Sequence, residues 1–138
     1  SMNKKEIIIR LKKIDFDINS YWVIAGTAMV LQGIRSKTKD IDIACTTKMF
    51  CSLETKGYSV TKNSLGYRKI SLEEDIEIFE NWDVLGIDYI EGIPTANIES
   101  IREMKMQMGR EKDLEDVKLI DDMFIKRVKN ERCSFFNN

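Results

Sequence analysis

Histidine is absent from the 138 residues, and this absence excludes more chemistry than any other compositional feature of the chain. Without an imidazole there is no Ser-His-Asp or Cys-His nucleophile system and no histidine ligand for zinc. An enzyme with this composition has to use carboxylates, lysines and hard metal ions.

Cysteine and proline are also scarce. Cys45, Cys51 and Cys133 form no Cys-x-x-Cys pair, so a disulfide framework or a thiolate zinc site has little support, and we expect reduced thiols. With only one proline, 43% hydrophobic and 33% charged residues, the composition indicates a globular chain rather than a disordered one. A chain of this length is predicted to form a single domain, residues 1–138.

Neither a net charge nor a long apolar run is present. The 22 basic and 23 acidic residues leave a net charge of -1, so no overall field draws the chain to nucleic acid or membrane, and any anion site must be local. No apolar run approaches the ~18 residues of a membrane helix, and the N-terminus lacks the apolar block of a signal peptide. We therefore expect a cytoplasmic protein that does not bind membranes.

Hydrophobic periodicity predicts an α/β (α+β) fold, a mixed β-sheet with helices packed against it. Predicted helices cover about 4–17, 27–33, 47–56 and 97–108, with a last one from about 114 to 128, and predicted strands cover 21–25, 40–45, 58–61, 67–72, 75–79 and 87–93. Asn3 and Glu6 have the spacing of a capping box for the first helix, whose apolar face is Ile7, Leu11, Ile14 and Ile18. Pro94 is expected to close the last strand, Asn97 or Thr95 to cap the helix that follows, and Gly109 to end that helix. The last two helices, about 97–128, are expected to pack on the domain, and the polar tail 129–138 to fray or to dock on a partner.

Asp40 and Asp42 are the first candidate site residues. Two apart on a predicted strand, their side chains leave the same face roughly 7 Å apart, while Ile41 and Ile43 enter the core. Like charges this close favour a cation between them. The pattern alone is weak, because Asp-x-Asp recurs at 15–17, where the end of a helix in solvent explains it.

Gly26 and Thr27 lie where a buried strand is predicted to turn into a helix. Backbone N–H groups and the helix dipole can receive a phosphate there. The alternative is structural, a turn glycine and a helix cap. Arg35, followed by Lys37 and Lys39, precedes the acid pair and can grip polyphosphate, although such loops are often only solvated.

Glu77 is the candidate third acid for a site that holds two divalent ions. Ile76 and Ile78 point to the other face of its predicted strand, so Glu77 can meet Asp40 and Asp42 across neighbouring strands. The alternative is an ordinary solvent-facing acid.

The composite pattern resembles the signature of the DNA polymerase beta-like nucleotidyltransferase superfamily: Ala25-Gly26-Thr27, twelve residues, Asp40-Ile41-Asp42-Ile43, and a later acid in a strand. More narrowly, it is similar to the small nucleotidyltransferases of abortive-infection toxin and antibiotic-modifying type. The residues that carry this narrower likeness are Gly26, Ala28, Leu31, Gly33, Arg35, Thr38, Asp40 and Asp42, followed by Lys105, Arg110, Lys112, Asp113 and Asp116 in the closing helix pair. Thr27 stands where that family more often has Gly or Ser, and Glu77 stands where it more often has Asp.

The resemblance implies transfer of a nucleoside monophosphate from a nucleoside triphosphate to a hydroxyl, with release of pyrophosphate. It implies two Mg²⁺ ions at Asp40, Asp42 and Glu77, and nucleotide binding by Gly26, Thr27, Arg35 and Lys105. Glu77 would also accept the proton of the acceptor, which remains open between a small molecule, a protein and an RNA end.

Several alternatives stay open at this point. The chain could be an inactive relative that binds a nucleotide or serves as a toxin-antitoxin component. Lys105 could be a surface lysine, and Lys112, Asp113 and Asp116 are better explained as helix-start charges and ion pairs between the last two helices. A homo-oligomer through Met104, Met106 and Met108 is also open, although methionines at this spacing are more often core.

Overall fold

The computed structural model describes residues 1–137, with side chains through residue 135. The helices are α1 Lys4–Ile14, α2 Ala25–Leu31, α3 Thr47–Thr55, α4 Ile98–Met108 and α5 Glu111–Asn137. The strands are β1 Tyr21–Val23, β2 Ile41–Cys45, β3 Val60–Lys62, β4 Arg68–Glu73, β5 Ile76–Glu80, β6 Ile87–Ile90 and β7 Ile93–Ala96.

The strands form one mixed sheet in the order β3-β4-β5-β2-β1-β7-β6. β2 runs parallel to β5 and β1 parallel to β7, while the other neighbours are antiparallel. The predicted mixed sheet with packed helices is therefore confirmed. β2 lies in the middle of the sheet, which explains why its isoleucines Ile41 and Ile43 are fully buried.

The first helix is shorter than the predicted 4–17. Asn3 and Glu6 form the predicted capping box, but α1 ends at Ile14 because Asp15 adopts a left-handed backbone with φ of 57°. Ile18, predicted on the helix face, is half exposed beyond this end.

Pro94 does not close a strand, contrary to the sequence prediction. The segment 87–93 divides into β6 and the start of β7, joined by a tight turn in which Glu91 and Gly92 both have positive φ. Pro94 lies inside β7 opposite Tyr89. β7 pairs with β1 at one register position, Val23 with Thr95, which leaves room for a residue without an N–H.

The two last helices form a hairpin. Asn97 rather than Thr95 caps α4, and Gly109 in the left-handed conformation ends it, as predicted. α5 continues beyond residue 128 to Asn137, so the polar tail belongs to this helix as far as it is described, and residue 138 lies outside the described residues. No glycine or proline occurs from 111 to 137, so nothing in the sequence ends the helix earlier. Across the described chain, no helix combines the length and apolarity needed to cross a membrane.

Candidate active site

Asp40 directly precedes β2 and Asp42 is the second residue of this strand, so they lie one on each side of Ile41. Asp40 is exposed and Asp42 is half-buried. Neither carboxylate makes a salt bridge or a hydrogen bond with a side chain or backbone group among the described residues. The pair is therefore available to a ligand.

Glu77 is the register partner of Asp42 across the parallel strands β2 and β5. Register partners in adjacent strands point to the same face of the sheet, so Glu77 faces the same side as Asp42, as the sequence predicts. Asp40, Asp42 and Glu77 line one cavity of about 240 Å³. Within residues 1–137, however, no three carboxylate or thiolate side chains are close enough to form a ready-made metal cage. Glu77 Oε1 accepts a hydrogen bond of 3.1 Å from Lys69 Nζ, so one of its two oxygens is already engaged.

The electrostatic centre of this cavity is Asp42. Burial, and then the charges of Glu77 and Asp40, raise the pKa of Asp42 to about 7, against the opposing charges of Lys105 and Lys69. Among the described residues no salt bridge or side-chain hydrogen bond neutralises the Asp42 carboxylate, because Lys69 pairs with Glu77 and Lys105 pairs with Asp113 and Asp116. Such a group is stabilised in its charged form by a bound cation.

A second cavity of about 450 Å³ adjoins the first and shares Asp40 and Asp42 with it. Gly26 lies in its wall, Glu115 and Asp116 add two further acids, and its cationic lining consists of Arg35, Lys39, Lys105, Arg110 and Lys112. A Cβ at Gly26 would meet Thr38 Oγ1 at 3.1 Å and an Arg35 guanidinium nitrogen at 3.2 Å, so any larger residue would push one of these two groups away by a few tenths of an ångström. The cavity is suited to a polyphosphate.

Thr27 lies beneath the cavities rather than in them. The strand before it ends at Val23 and α2 begins at Ala25, two residues earlier than predicted, so Thr27 is the third residue of the helix and faces β2. The Thr27 hydroxyl donates to the carbonyl of Asp40 and accepts from the amide of Asp42, both at 2.9 Å. Both hydroxyl functions are engaged by backbone, so the structure does not bring Thr27 to the nucleotide cavity as the resemblance implied.

Lys105 is mostly buried between α4 and α5. Its ammonium lies 3.0 Å from Asp116 and 3.5 Å from Asp113, and it also lines the basic cavity. Arg35 reaches Asp116 at 3.8 Å. Two predicted nucleotide ligands thus meet at one carboxylate on α5. The interpretation of Asp113 and Asp116 as partners in ion pairs between the last helices agrees with these contacts.

Asp113 stabilises the start of α5. It accepts hydrogen bonds from the backbone and side chain of Arg110, which precedes the helix. Burial opposes the charged form of Asp113, but the hydrogen bond from Arg110 and the charge of Lys105 outweigh it and lower its pKa. This contact holds Arg110 in place, and Arg110 and Lys112 both line the two cavities.

The sequence did not predict four of the residues that line the smaller cavity. Lys69, Asn63, Phe79 and Trp82 line it together with the acids. A signal existed for Lys69, since it alternates with Ile70 on a strand as Glu77 does with Ile78, but the sequence does not say that these two strands are neighbours.

The fold agrees with those of solved nucleotidyltransferase structures. A candidate nucleotidyltransferase from Thermotoga maritima superposes with a TM-score of 0.57 at 18% identity, covering 94% of this chain and 96% of that one. ANT(2")-Ia in complex with adenylyl-2"-tobramycin superposes with a TM-score of 0.51 at 16% identity, covering 96% of this chain and 94% of that one. No protein-family model matches the chain, and no curated protein matches it in sequence. The chain has a nucleotidyltransferase fold, which confirms the resemblance at the level of the fold.

Proposed function

We propose that this protein is a metal-dependent nucleotidyltransferase that moves a nucleoside monophosphate from a nucleoside triphosphate to a hydroxyl acceptor, releasing pyrophosphate. The observation that carries the proposal is the register pairing of Asp42 with Glu77, in a cavity that also contains Asp40 and adjoins a basic cavity. The two cavities share Asp40 and Asp42, so a metal ion held there would lie next to both the triphosphate and the acceptor.

A hard divalent cation such as Mg²⁺ fits the donor set. Asp40 and Asp42 offer carboxylate oxygens free of hydrogen bonds and salt bridges within the described residues, and oxygen is the ligand that Mg²⁺ prefers. Asp40, Asp42 and Glu77 would hold the metal, which supplies charge neutralisation at the phosphates and a lowered pKa of the acceptor hydroxyl. The resemblance implies two such ions.

The triphosphate would lie in the larger cavity. Gly26 permits close approach of the backbone, and Arg35 and Lys105 contribute positive charge that offsets the phosphates. Because both cations already contact Asp116, they are held in place before a nucleotide arrives, which reduces the ordering that binding requires.

The acceptor would enter the smaller cavity beside Glu77. The second carboxylate oxygen of Glu77 makes no hydrogen bond with the described residues and can take the proton of the acceptor hydroxyl. A small hydroxyl compound, as in the adenylylated tobramycin of the structural neighbour, is one candidate beside a protein hydroxyl and an RNA end. Use of nucleoside triphosphates would place the protein in the cytoplasm.

A second candidate function is nucleotide binding without catalysis, as a regulatory or toxin-antitoxin component. The salt bridge between Lys69 and Glu77 favours it, because this contact occupies one oxygen of the proposed proton acceptor. Both candidates require the acid pair of β2, but only the first requires Glu77.

Thermal unfolding tests both candidates. We expect Mg²⁺ with one of the nucleoside triphosphates to raise the Tm of the native chain and not that of Asp40→Asn plus Asp42→Asn, since only binding to the folded state stabilises it. Pyrophosphate release with hydroxyl acceptors then separates catalysis from binding, with Glu77→Gln as the variant that binds without turnover. No shift with any triphosphate at millimolar Mg²⁺ would refute both candidates.

A further inference from the structure

Lys69 lines the smaller cavity together with Asp40, Asp42 and Glu77. It is on β4 opposite Phe79, two residues beyond Glu77 on β5, so the side chains of Lys69 and Glu77 share one face of the sheet. The Lys69 side chain is 26% exposed, and its Nζ is 3.1 Å from Glu77 Oε1. A tethered ammonium therefore already neutralises one of the three carboxylates.

The charge of Lys69 reaches the second carboxylate as well. It acts on Asp42 in the direction that favours the ionised carboxyl, opposite to the effect of Glu77. An ion shared by Asp42 and Glu77 would occupy the same anionic space and would be repelled by this ammonium. Asp40, by contrast, pairs with no cationic side chain among the described residues.

We propose that the Lys69 ammonium takes the place of one of the two metal ions, so that the site binds a single divalent cation at Asp40 and Asp42 while Glu77 stays paired with Lys69. This inference rests on the proposed function and narrows its metal requirement. Glu77 is then oriented by Lys69, with its other oxygen turned to the acceptor. Lys69 acts as a positioning residue and not as a ligand.

Counting bound Mn²⁺ tests the inference without any activity measurement. Free Mn²⁺ is followed by its electron paramagnetic resonance signal during titration of the native chain, Lys69→Met, Lys69→Arg and the control Lys62→Met, an exposed lysine in the same hairpin. We expect one ion per chain for the native protein, for Lys69→Arg and for Lys62→Met. Lys69→Met should bind two, because the ammonium that pairs with Glu77 and repels a second ion is then absent.

Two ions on the native chain, or a single ion on Lys69→Met that is folded by circular dichroism, would overturn the inference. If Lys69→Met does not fold, the ion count of the native chain decides the test: one ion supports the inference and two ions overturn it. No Mn²⁺ on any variant would refute the proposed metal dependence together with the inference, whereas two ions on the native chain leave the proposed function standing.

Discussion

The hydroxyl of Thr27 joins α2 to the strand that carries the acids, accepting the amide hydrogen of Asp42 and donating to the carbonyl of Asp40. Thr27 is fully buried, so its hydroxyl is shielded from solvent. The spacing of the acid pair is thus fixed by a helix that also presents Gly26 to the neighbouring cavity. A single side chain couples the positions of the metal ligands and of the phosphate-binding wall.

Thr27→Val should lower the free energy of unfolding by about 2 kcal/mol, because it leaves the Asp42 amide and the Asp40 carbonyl without their shared partner at nearly constant volume. Thr27→Ser keeps the hydroxyl and should retain most of the hydrogen-bond contribution, although it also loses a buried methyl group. Urea denaturation of the three proteins measures the difference. Equal stability of Thr27→Val and the native chain would contradict the bridging role.

The stability of the metal-free protein should depend on pH through Asp42. Its pKa is about 7 in the folded state against 3.8 for the ordinary group, so ionisation disfavours the folded state and stability falls as pH rises from about 4 to about 7. Asp42→Asn lacks this penalty, and its Tm should exceed that of the native chain increasingly toward pH 7.5 and match it most closely near pH 4.

Two controls isolate the effect of Asp42. Glu74→Gln removes an exposed acid in the turn between β4 and β5 and should not reproduce the trend. Added Mg²⁺ should reduce the advantage of Asp42→Asn at pH 7.5, because the ion stabilises the native carboxylate. A constant difference between Asp42→Asn and the native chain from pH 4 to 7.5 would count against this account of Asp42.

Lys105→Met should destabilise the protein by about 3 kcal/mol, since it leaves the buried Asp113 and the mostly buried Asp116 with less compensation. Arg102→Met is the matched control on the same helix. The Arg102 pair with Asp121 is 43% exposed on both sides, so its loss should change stability little. Thermal and urea denaturation compare the two variants, and equal losses would contradict the assignment of Lys105 as a buried ion-pair partner.

Gly26→Ala should reduce the free energy of nucleotide binding by more than it reduces the free energy of unfolding. The added Cβ presses on Arg35 and Thr38, one of which must move by a few tenths of an ångström. Ala25→Gly is the neighbouring control, because Ala25 has a φ of 56° that glycine adopts without strain. It should stabilise the chain by about 0.5 kcal/mol, and because Ala25 also lines both cavities it is a control for folding and not for binding. Isothermal titration with a nucleoside triphosphate and Mg²⁺ measures binding, and an unchanged Kd for Gly26→Ala would contradict the role of this glycine.

The sequence by itself determined which residues can share a face and which chemistry is excluded. Because histidine is missing, only carboxylates and cations remain for any catalysis. The two-residue alternation of side chains along a strand puts Asp40 and Asp42 on one face, and puts Glu77 on the face opposite to Ile76 and Ile78. The capping boundaries of α1 and α4 also follow from local rules at Asn3, Asn97 and Gly109. These features depend on residues near each other in the chain, where periodicity and capping act.

The tertiary structure alone decided which strands are neighbours. The order β4-β5-β2 brings Glu77 beside Asp42 and Lys69 beside Glu77, and no local pattern encodes that order. The start of α2 at Ala25 turned Thr27 from the nucleotide cavity toward the backbone of β2. Strand order and helix orientation result from the packing of distant segments into one core, so the contacts of Thr27 and Lys69 became visible only in the folded chain.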